Sequence, residues 1–116
     1  MSDHANEIEL KRAKSGIGGK ADRGKLRMSL FPVEALVGTL EVLELGAAKY
    51  SPDNWKKVPN ARERYYDAAM RHLLAWKGGE KLDPETGKSH IHHVACCVAF
   101  LQWFEESPDA PVDGPQ

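Results

Sequence analysis

The chain has 116 residues and nearly balanced charge, with 16 basic and 17 acidic residues and a formal net charge of -1. That length suits one domain with a modest core, and the balance argues against a stable nucleic-acid partner, because such proteins usually carry a positive excess. The cysteines Cys96 and Cys97 are adjacent and poorly placed to pair with each other, no apolar stretch is long enough to span a membrane, and residues 1–10 lack the apolar run of a signal peptide. We therefore expect a reduced, intracellular protein without a membrane partner.

Both ends of the sequence have the composition of irregular chain. Residues 1–19 contain several basic side chains and most of the glycine-rich stretch SGIGGK at 15–20, with room for a short helix over residues 7–14. Residues 107–116 contain three prolines and one glycine. These compositions predict a flexible basic N-terminal segment (1–19), a folded domain (20–106) and a flexible tail (107–116).

The first predicted helix begins near Pro32, because proline is favoured at the first helical position. Its apolar residues recur at helical spacing and form one stripe, which consists of Val33, Leu36, Val37, Leu40, Leu43 and Ala47. Gly46 marks a kink or the end of the regular helix. Residues 46–55 then predict a loop rich in turns.

Two further helices follow that loop. The second starts with a capping box between Asn60 and Glu63 and ends at the glycine pair 78–79. Ser89 caps the third, which runs to about Glu106 and is apolar on most of its circumference. A helix with apolar residues on so many sides is expected to lie centrally.

Four carboxylates depart from the pattern of a plain bundle. Glu44 falls inside the apolar stripe, where a charge is costly unless it is paired or bound to a cation. Glu41 lies one turn earlier, close enough to share a divalent ion with Glu44. Glu80 and Asp83 form an E-x-x-D pair in the loop after the second helix. A solvated or ion-paired glutamate pair and a polar surface loop remain open as alternatives.

Histidines lie near this acidic loop. His90 and His93 share one face of the third helix, and Cys97 extends that face. The absence of a second Cys/His cluster with ligand spacing argues against structural zinc. On the second helix, Arg71 suits a phosphate and His72 a phosphate or a base, although an exposed ion pair within the helix explains Arg71 equally well.

The loop after the first helix offers three side chains that suit a nucleotide. Lys49 supplies charge for a phosphate, Asn54 an amide for a base edge and Trp55 a ring for stacking. The alternative is a loop that its aromatic residues anchor to the bundle. No Walker motif is present, since Gly19 and Lys20 are followed by Ala21 and lack the upstream spacing.

The order of these signals is more specific than any one of them. In chain order they are KADRGKLR (20–27), LFPVEAL (30–36), GAAKY (46–50), NW (54–55), RHLLAW (71–76), GE (79–80), DPETG (83–87) and the histidines His90 and His93. Together they resemble the bacteriophage dATP/dGTP diphosphohydrolase family, a branch related to the MazG-like all-α pyrophosphohydrolases, over roughly residues 20–104. The resemblance implies an all-α MazG-like helical bundle that forms a homo-oligomer, a dimer or tetramer, in the host cytoplasm if a phage encodes it.

The resemblance also implies an activity. It is the hydrolysis of a purine deoxynucleoside triphosphate, dGTP and/or dATP, to the monophosphate and pyrophosphate with Mg²⁺ or Mn²⁺. Members are best known from phages that replace adenine with 2-aminoadenine, where dGMP is a precursor of the modified base, and similar relatives occur in other phages. By the same resemblance, the catalytic and metal-binding acids are Glu41, Glu44, Glu80 and Asp83. The spacing to the second acidic pair is longer than usual, and His90-x-x-His93 competes with that pair for its role.

Contacts to the substrate complete the hypothesis. The expected substrate-binding residues are Lys20, Lys25, Lys49, Asn54, Trp55, Arg71, His72, His90 and His93. Closure of the glycine-rich segment would bring Lys20 and Lys25 to the phosphates. The acids and their ions would neutralise the triphosphate while water attacks the α-phosphorus.

Two other functions fit the sequence less well. A non-catalytic phage helical interaction module would need no metal, and Glu44 would then be exposed or salt-bridged. A dNTP triphosphohydrolase would release tripolyphosphate, but the His-Asp dipeptide typical of that class is missing. Binding of single-stranded DNA by the basic N-terminal residues is a weaker third alternative.

Overall fold

The computed structural model describes residues 24–107, and the predicted helix at residues 7–14 and the tail lie outside that range or at its edge. The chain divides into two compact units, Met1–Pro32 and Val33–Gln116. In the described part of the first unit, a 3-10 turn spans Met28–Leu30 and is closed by hydrogen bonds from Leu30 N to Arg27 O and from Phe31 N to Met28 O. The turn carries no buried residue.

The second unit contains three α-helices in its described residues. We label them α1 (Val33–Lys49), α2 (Ala61–Lys77) and α3 (His90–Glu106). A 3-10 turn, Asn54–Lys57, lies between α1 and α2, and a single β-bridge joins Leu82 to Ser89 in the loop before α3. The all-α prediction is confirmed. No helix within residues 24–107 is long and apolar enough to cross a membrane.

The ends of the helices follow from local chemistry, with two differences from prediction. Ser89 caps α3 as predicted, because its Oγ accepts a hydrogen bond from Ile91 N. Asn60 precedes α2 as predicted, but its backbone is left-handed and its side chain makes no capping hydrogen bond to the helix, so the predicted capping box is wrong. Gly46 does not end α1, since the helix continues through two alanines to Lys49.

The third helix is central, as predicted, because it packs against both α1 and α2. The pairs His72–His90 and Tyr65–Phe100 show that α2 and α3 run antiparallel. Among residues 24–107, few apolar residues are buried: Val42, Ala61, Cys96, Cys97 and Phe104. A core this small contributes limited hydrophobic stabilisation, so polar contacts matter to this fold.

The apolar stripe of α1 is mostly not its buried face. The buried residues of α1 are Gly38 and Val42, whereas Leu36 is 49% exposed and Leu40 is 46% exposed. A methyl group at Gly38 would overlap the imidazole of His92, so the lack of a side chain lets α1 approach α3 closely. Cys96 adds a hydrogen bond from its Sγ to Thr39 O, 3.3 Å long. The inference that a carboxylate in the stripe faces the core is therefore wrong for this chain.

Candidate active site

One wide cleft, with a volume of about 1510 Å³, opens between the C-terminal part of α1, the following loop, α2 and α3. We call it the cleft. Six of the residues that the sequence selected line it: Glu44, Lys49, Asn54, Trp55, Arg71 and His93. The cleft also contains carboxylates that the sequence reasoning did not select, Asp67 on α2 and Glu85 in the loop before α3. Positive and negative side chains therefore share one open surface.

Lys49, the last residue of α1, presents a charged amine at the rim of the cleft. Its Nζ lies 5.2 Å from the centre of the Tyr50 ring and 3.9 Å from Glu85 Oε1. Tyr50 first and Glu85 second raise the pKa of Lys49, so the amine stays protonated. Both partners of the ion pair are largely exposed, which makes the pair weak and leaves Lys49 available to an anion.

Trp55 anchors the loop that carries Asn54. Its ring stacks on Phe100 at a centroid distance of 4.4 Å and meets Trp103 edge-on at 5.1 Å. Tyr65 Oη donates a 2.9 Å hydrogen bond to the carbonyl of Trp55. Trp55 therefore anchors this loop to the bundle, which is the alternative that the sequence left open. Its packing on Phe100 occupies one face of the indole.

On α2, Asp67 and Arg71 lie one turn apart and both line the cleft. The sequence carried a signal for Asp67, because it shares a helix side with Arg64 and Arg71, away from the apolar residues of α2. Arg64 also lines the cleft. This side of α2 is therefore a charged wall of the cleft.

The second feature is a set of six polar residues, which we call the histidine cluster: His72, Glu80, Asp83, Thr86, His90 and His93. His90 is only 3% exposed. Its Nε2 donates to Glu80 Oε1 at 2.6 Å, and its Nδ1 lies 2.8 Å from His72 Nδ1. Because the Nε2–H of His90 donates to Glu80, a neutral His90 has a lone pair on Nδ1 and accepts a hydrogen bond from His72.

Asp83 and His93 are joined through Thr86. The backbone N–H and the hydroxyl of Thr86 both donate to Asp83 Oδ2, at 2.9 and 3.0 Å. The same hydroxyl lies 2.8 Å from His93 Nε2, and the His93 ring stacks on that of His72 at 4.4 Å with an angle of 7°. His93 and Thr86 also line the cleft, so the histidine cluster adjoins its wall.

These contacts determine the ionisation of the cluster. Burial is the largest influence on His72 and His93 and lowers the pKa of both, so the rings are neutral at neutral pH. Burial opposes the ionisation of Asp83, but the hydrogen bonds from Thr86 and the nearby histidines outweigh it and lower the pKa of Asp83. One ligand atom each from His72, Asp83 and His90 lies within 4.8 Å of the others, which makes a divalent metal possible here.

The remaining predicted residues lie as follows. Glu41 is exposed, with its Oε1 3.9 Å from Lys88 Nζ. Glu44 is exposed at the cleft, and no contact places either glutamate with Glu80 and Asp83, which belong to the histidine cluster. Lys25 is exposed in the first unit and Lys20 lies outside the described residues.

Cys97 belongs to the core and to the lining of the cleft, not to a metal centre with His90 and His93. Both cysteines are unpaired thiols in buried positions. Burial raises the pKa of Cys97 to about 11, so the thiolate that a metal needs is scarce.

Comparison with known proteins identifies the family. A model of the N-terminal region of dATP/dGTP diphosphohydrolases matches residues 15–111. The chain belongs to the dATP/dGTP diphosphohydrolase family. A Salmonella phage PMBT28 protein named dATP/dGTP diphosphohydrolase is 35% identical over 87 residues, which are 75% of this chain and 29% of that protein. The chain thus spans under a third of the length of the curated relative it matches. No solved structure matches it.

Membership of this family confirms what the order of the motifs indicated. The matched residues, 15–111, include all three helices of the described part and therefore both the cleft and the histidine cluster. The two features are thus parts of the region that defines the family.

Proposed function

We propose that this chain hydrolyses dATP or dGTP to the monophosphate and pyrophosphate with the help of Mg²⁺ or Mn²⁺. The observation that carries the proposal is the cleft, which combines the cations Lys49 and Arg71 with the carboxylates Glu44, Asp67 and Glu85. A triphosphate with its divalent ion needs both kinds of group, because phosphoryl transfer depends mainly on charge neutralisation and positioning. The name of the phage relative supports the substrate class.

The residues of the cleft fit a hard divalent ion. Carboxylate oxygens are the ligands that Mg²⁺ prefers, and three carboxylates from α1, α2 and the loop before α3 line this cleft. We assign Glu44 and Asp67 as the principal donors and Glu85 as a further one. Glu41 supports Glu44 from one turn away, and the Glu80–Asp83 pair serves the histidine cluster instead. When bound, the ion offsets phosphate charge and lowers the pKa of the attacking water.

The other side chains bind and orient the substrate. Lys49 and Arg71 bind phosphate oxygens, and Asn54 hydrogen-bonds to the base or sugar. His93 supplies a hydrogen bond from the cleft wall, where Thr86 and the His72 ring fix its position. For Lys20 and Lys25, the phosphate contact is proposed from the resemblance of the sequence alone.

The assembly and biological setting extend the proposal. The exposed apolar residues of α1, among them Leu36, Val37 and Leu40, suit burial against a second copy of the chain. A homo-oligomer would also compensate for the small core. We place the enzyme in the host cytoplasm, where it acts on the purine dNTP pool of a phage and supplies dGMP where 2-aminoadenine is made.

A nucleotide panel tests the function. The full chain is incubated with each common deoxy- and ribonucleoside triphosphate and Mg²⁺ or Mn²⁺, and the products are separated by chromatography. We expect dGMP or dAMP with an equal amount of pyrophosphate, and none without the metal. Deoxynucleoside with tripolyphosphate would identify the rival triphosphohydrolase. No turnover of any nucleotide would favour the interaction module.

A further inference from the structure

The histidine cluster has chemistry that the proposed hydrolysis does not use. The cleft offers carboxylate oxygens, whereas the cluster brings together two imidazoles and one carboxylate from three different elements: α2, the loop before α3, and α3. Imidazole nitrogen suits Zn²⁺ and similar transition metals better than it suits Mg²⁺. The two sites therefore differ in the class of ion they select.

We propose that His72, Asp83 and His90 bind one divalent transition-metal ion, with Zn²⁺ as the first candidate. Zinc bonds of about 2.0–2.1 Å place tetrahedral ligand atoms roughly 3.3 Å apart. The ligand atoms of the three residues all lie within 4.8 Å of one another, and the two histidine Nδ1 atoms are 2.8 Å apart. In the metal-bound form, His72 carries its proton on Nε2, so that the lone pair of its Nδ1 faces the ion and no longer shares a hydrogen bond with His90. Small ring movements then bring these distances to the zinc value. A water molecule or a substrate oxygen completes the coordination.

Each proposed ligand already has a partner that orients it. Glu80 holds the Nε2–H of His90 at 2.6 Å, which directs the other ring nitrogen toward the ion, as in a carboxylate–histidine–metal arrangement. The backbone N–H and the hydroxyl of Thr86 both fix Asp83. The stacked ring of His93 fixes the plane of His72. Such outer contacts set the tautomer and angle that a ligand needs.

The hydrogen bonds of the ligands suit the protonation states that a metal requires. A metal binds neutral imidazole and ionised carboxylate. Asp83 Oδ2 accepts two hydrogen bonds from Thr86, which suits an ionised carboxylate. His90 keeps one proton for Glu80 and one nitrogen for the ion.

The bound ion would brace the hairpin of α2 and α3. His72 and His90 lie near the end of α2 and at the start of α3, where few apolar side chains are buried. The ion would also fix His93 and Thr86, which line the cleft. Its main role is therefore to stabilise the fold and to position the cleft wall.

Metal binding by the full chain, prepared without a histidine tag and stripped with a chelator, tests this proposal. Zn²⁺ is titrated calorimetrically, Co²⁺ is added to record its visible absorption, and thermal unfolding is followed with and without Zn²⁺. The variants are His72→Asn, Asp83→Asn and Glu80→Gln. His92→Asn is the matched control, since His92 lies on α3 outside the cluster.

We expect one Zn²⁺ per chain, a four- or five-coordinate Co²⁺ spectrum, and a higher unfolding temperature with Zn²⁺ that excess Mg²⁺ does not reproduce. His72→Asn and Asp83→Asn should each weaken binding by about 100-fold or more, and Glu80→Gln by about 10- to 100-fold. Glu80→Gln preserves side-chain size, so it remains informative if a ligand variant fails to fold. The control should bind like the parent.

Two results would overturn the proposal: no Zn²⁺ uptake by the parent chain, or equal affinity in the parent and all three cluster variants. Either result leaves the proposed hydrolysis intact, because the nucleotide panel measures it separately. Conversely, a chain that binds Zn²⁺ and hydrolyses no nucleotide retains the metal site and loses the function.

Discussion

The histidine cluster and the exposed side of α1 both carry residues that the sequence selected. They differ in how firmly hydrogen bonds and ion pairs hold those side chains in place. In the cluster, each of the predicted residues has a hydrogen bond of 2.6 to 3.0 Å to another member. On α1, Glu41 has one distant ion pair, and both it and Glu44 are exposed. The cluster is thus preorganised within one chain, whereas the glutamates of α1 are exposed to solvent. The two regions should therefore respond differently to substitution.

The largest effect should come from Glu44→Gln, which removes a negative charge from the exposed side of α1 at the cleft. Since a bound divalent ion contributes several kcal/mol to catalysis, we expect kcat for dATP or dGTP hydrolysis to fall by about 100-fold. The helical circular dichroism should not change, because Glu44 is exposed. Glu34→Gln, in the first turn of the same helix, is the matched control. Near-parental activity of Glu44→Gln would show that Glu44 is not a metal ligand in the cleft.

Gly38→Val should give the next largest effect, because the new side chain meets the His92 ring. Overpacking of this kind typically costs 1–3 kcal/mol, and we expect about 2 kcal/mol in the free energy of unfolding from urea denaturation. Adding His92→Ala should recover part of that loss. If the double variant is no more stable than Gly38→Val, the close approach of α1 and α3 is not the cause.

Thr86→Val tests how much the hydrogen bonds of the histidine cluster contribute to stability. The change keeps the shape but deletes the hydroxyl that contacts Asp83 and His93 and accepts from Lys88 N. A lost hydrogen bond to a charged group suggests a destabilisation of about 1.5 kcal/mol, measured by urea denaturation. Thr86→Ser keeps the hydroxyl and should stay within about 0.5 kcal/mol of the parent. Equal stability of the two variants would mean that the hydroxyl is dispensable.

The smallest effect is expected at Gly46, and it distinguishes a glycine inside α1 from one that ends the helix. Because the residue lies inside α1 with open space around its Cβ position, Gly46→Ala should stabilise the chain by about 0.5–1 kcal/mol. Gly79→Ala is the opposite case, since its φ of +106° disfavours any side chain and should destabilise the chain. Thermal unfolding measures both. If Gly46→Ala were instead less stable than the parent, the helix end that the sequence predicted at Gly46 would be the better interpretation.

The sequence predicted the three helices well because Pro32, the cap at Ser89 and the glycine pair 78–79 act locally. It failed where the outcome depends on packing between helices. Gly46 looks like a helix end, but neighbouring alanines and Lys49 continue the helix. The apolar stripe of α1 looks like a buried face, but the helix instead packs through Gly38, where the lack of a side chain allows close approach.

The candidate site shows the same limit. His72, His90 and His93 were selected from sequence, but the contact between His72 and His90 joins residues 18 positions apart and needs the antiparallel pairing of α2 and α3. The acidic pairs were expected to hold two or more divalent ions in one triphosphate site, whereas the structure places Glu80 and Asp83 with histidines and brings Asp67 to the cleft. The selection of Asp67 required knowing which side of α2 faces open space.

The loop before α3 acts as a spacer of fixed length. It is closed by hydrogen bonds from Asp83 N to Lys88 O, from Gly87 N to Asp83 O and from His90 N to Lys81 O. If one residue were deleted there, α3 would have to begin one position earlier relative to α2. Since one residue corresponds to about 100° of helical rotation, its side chains would then face a different direction. The same deletion would move Cys96 and Cys97 away from the interior. Insertions of a tag or a fluorophore in this protein should therefore avoid residues 81–90.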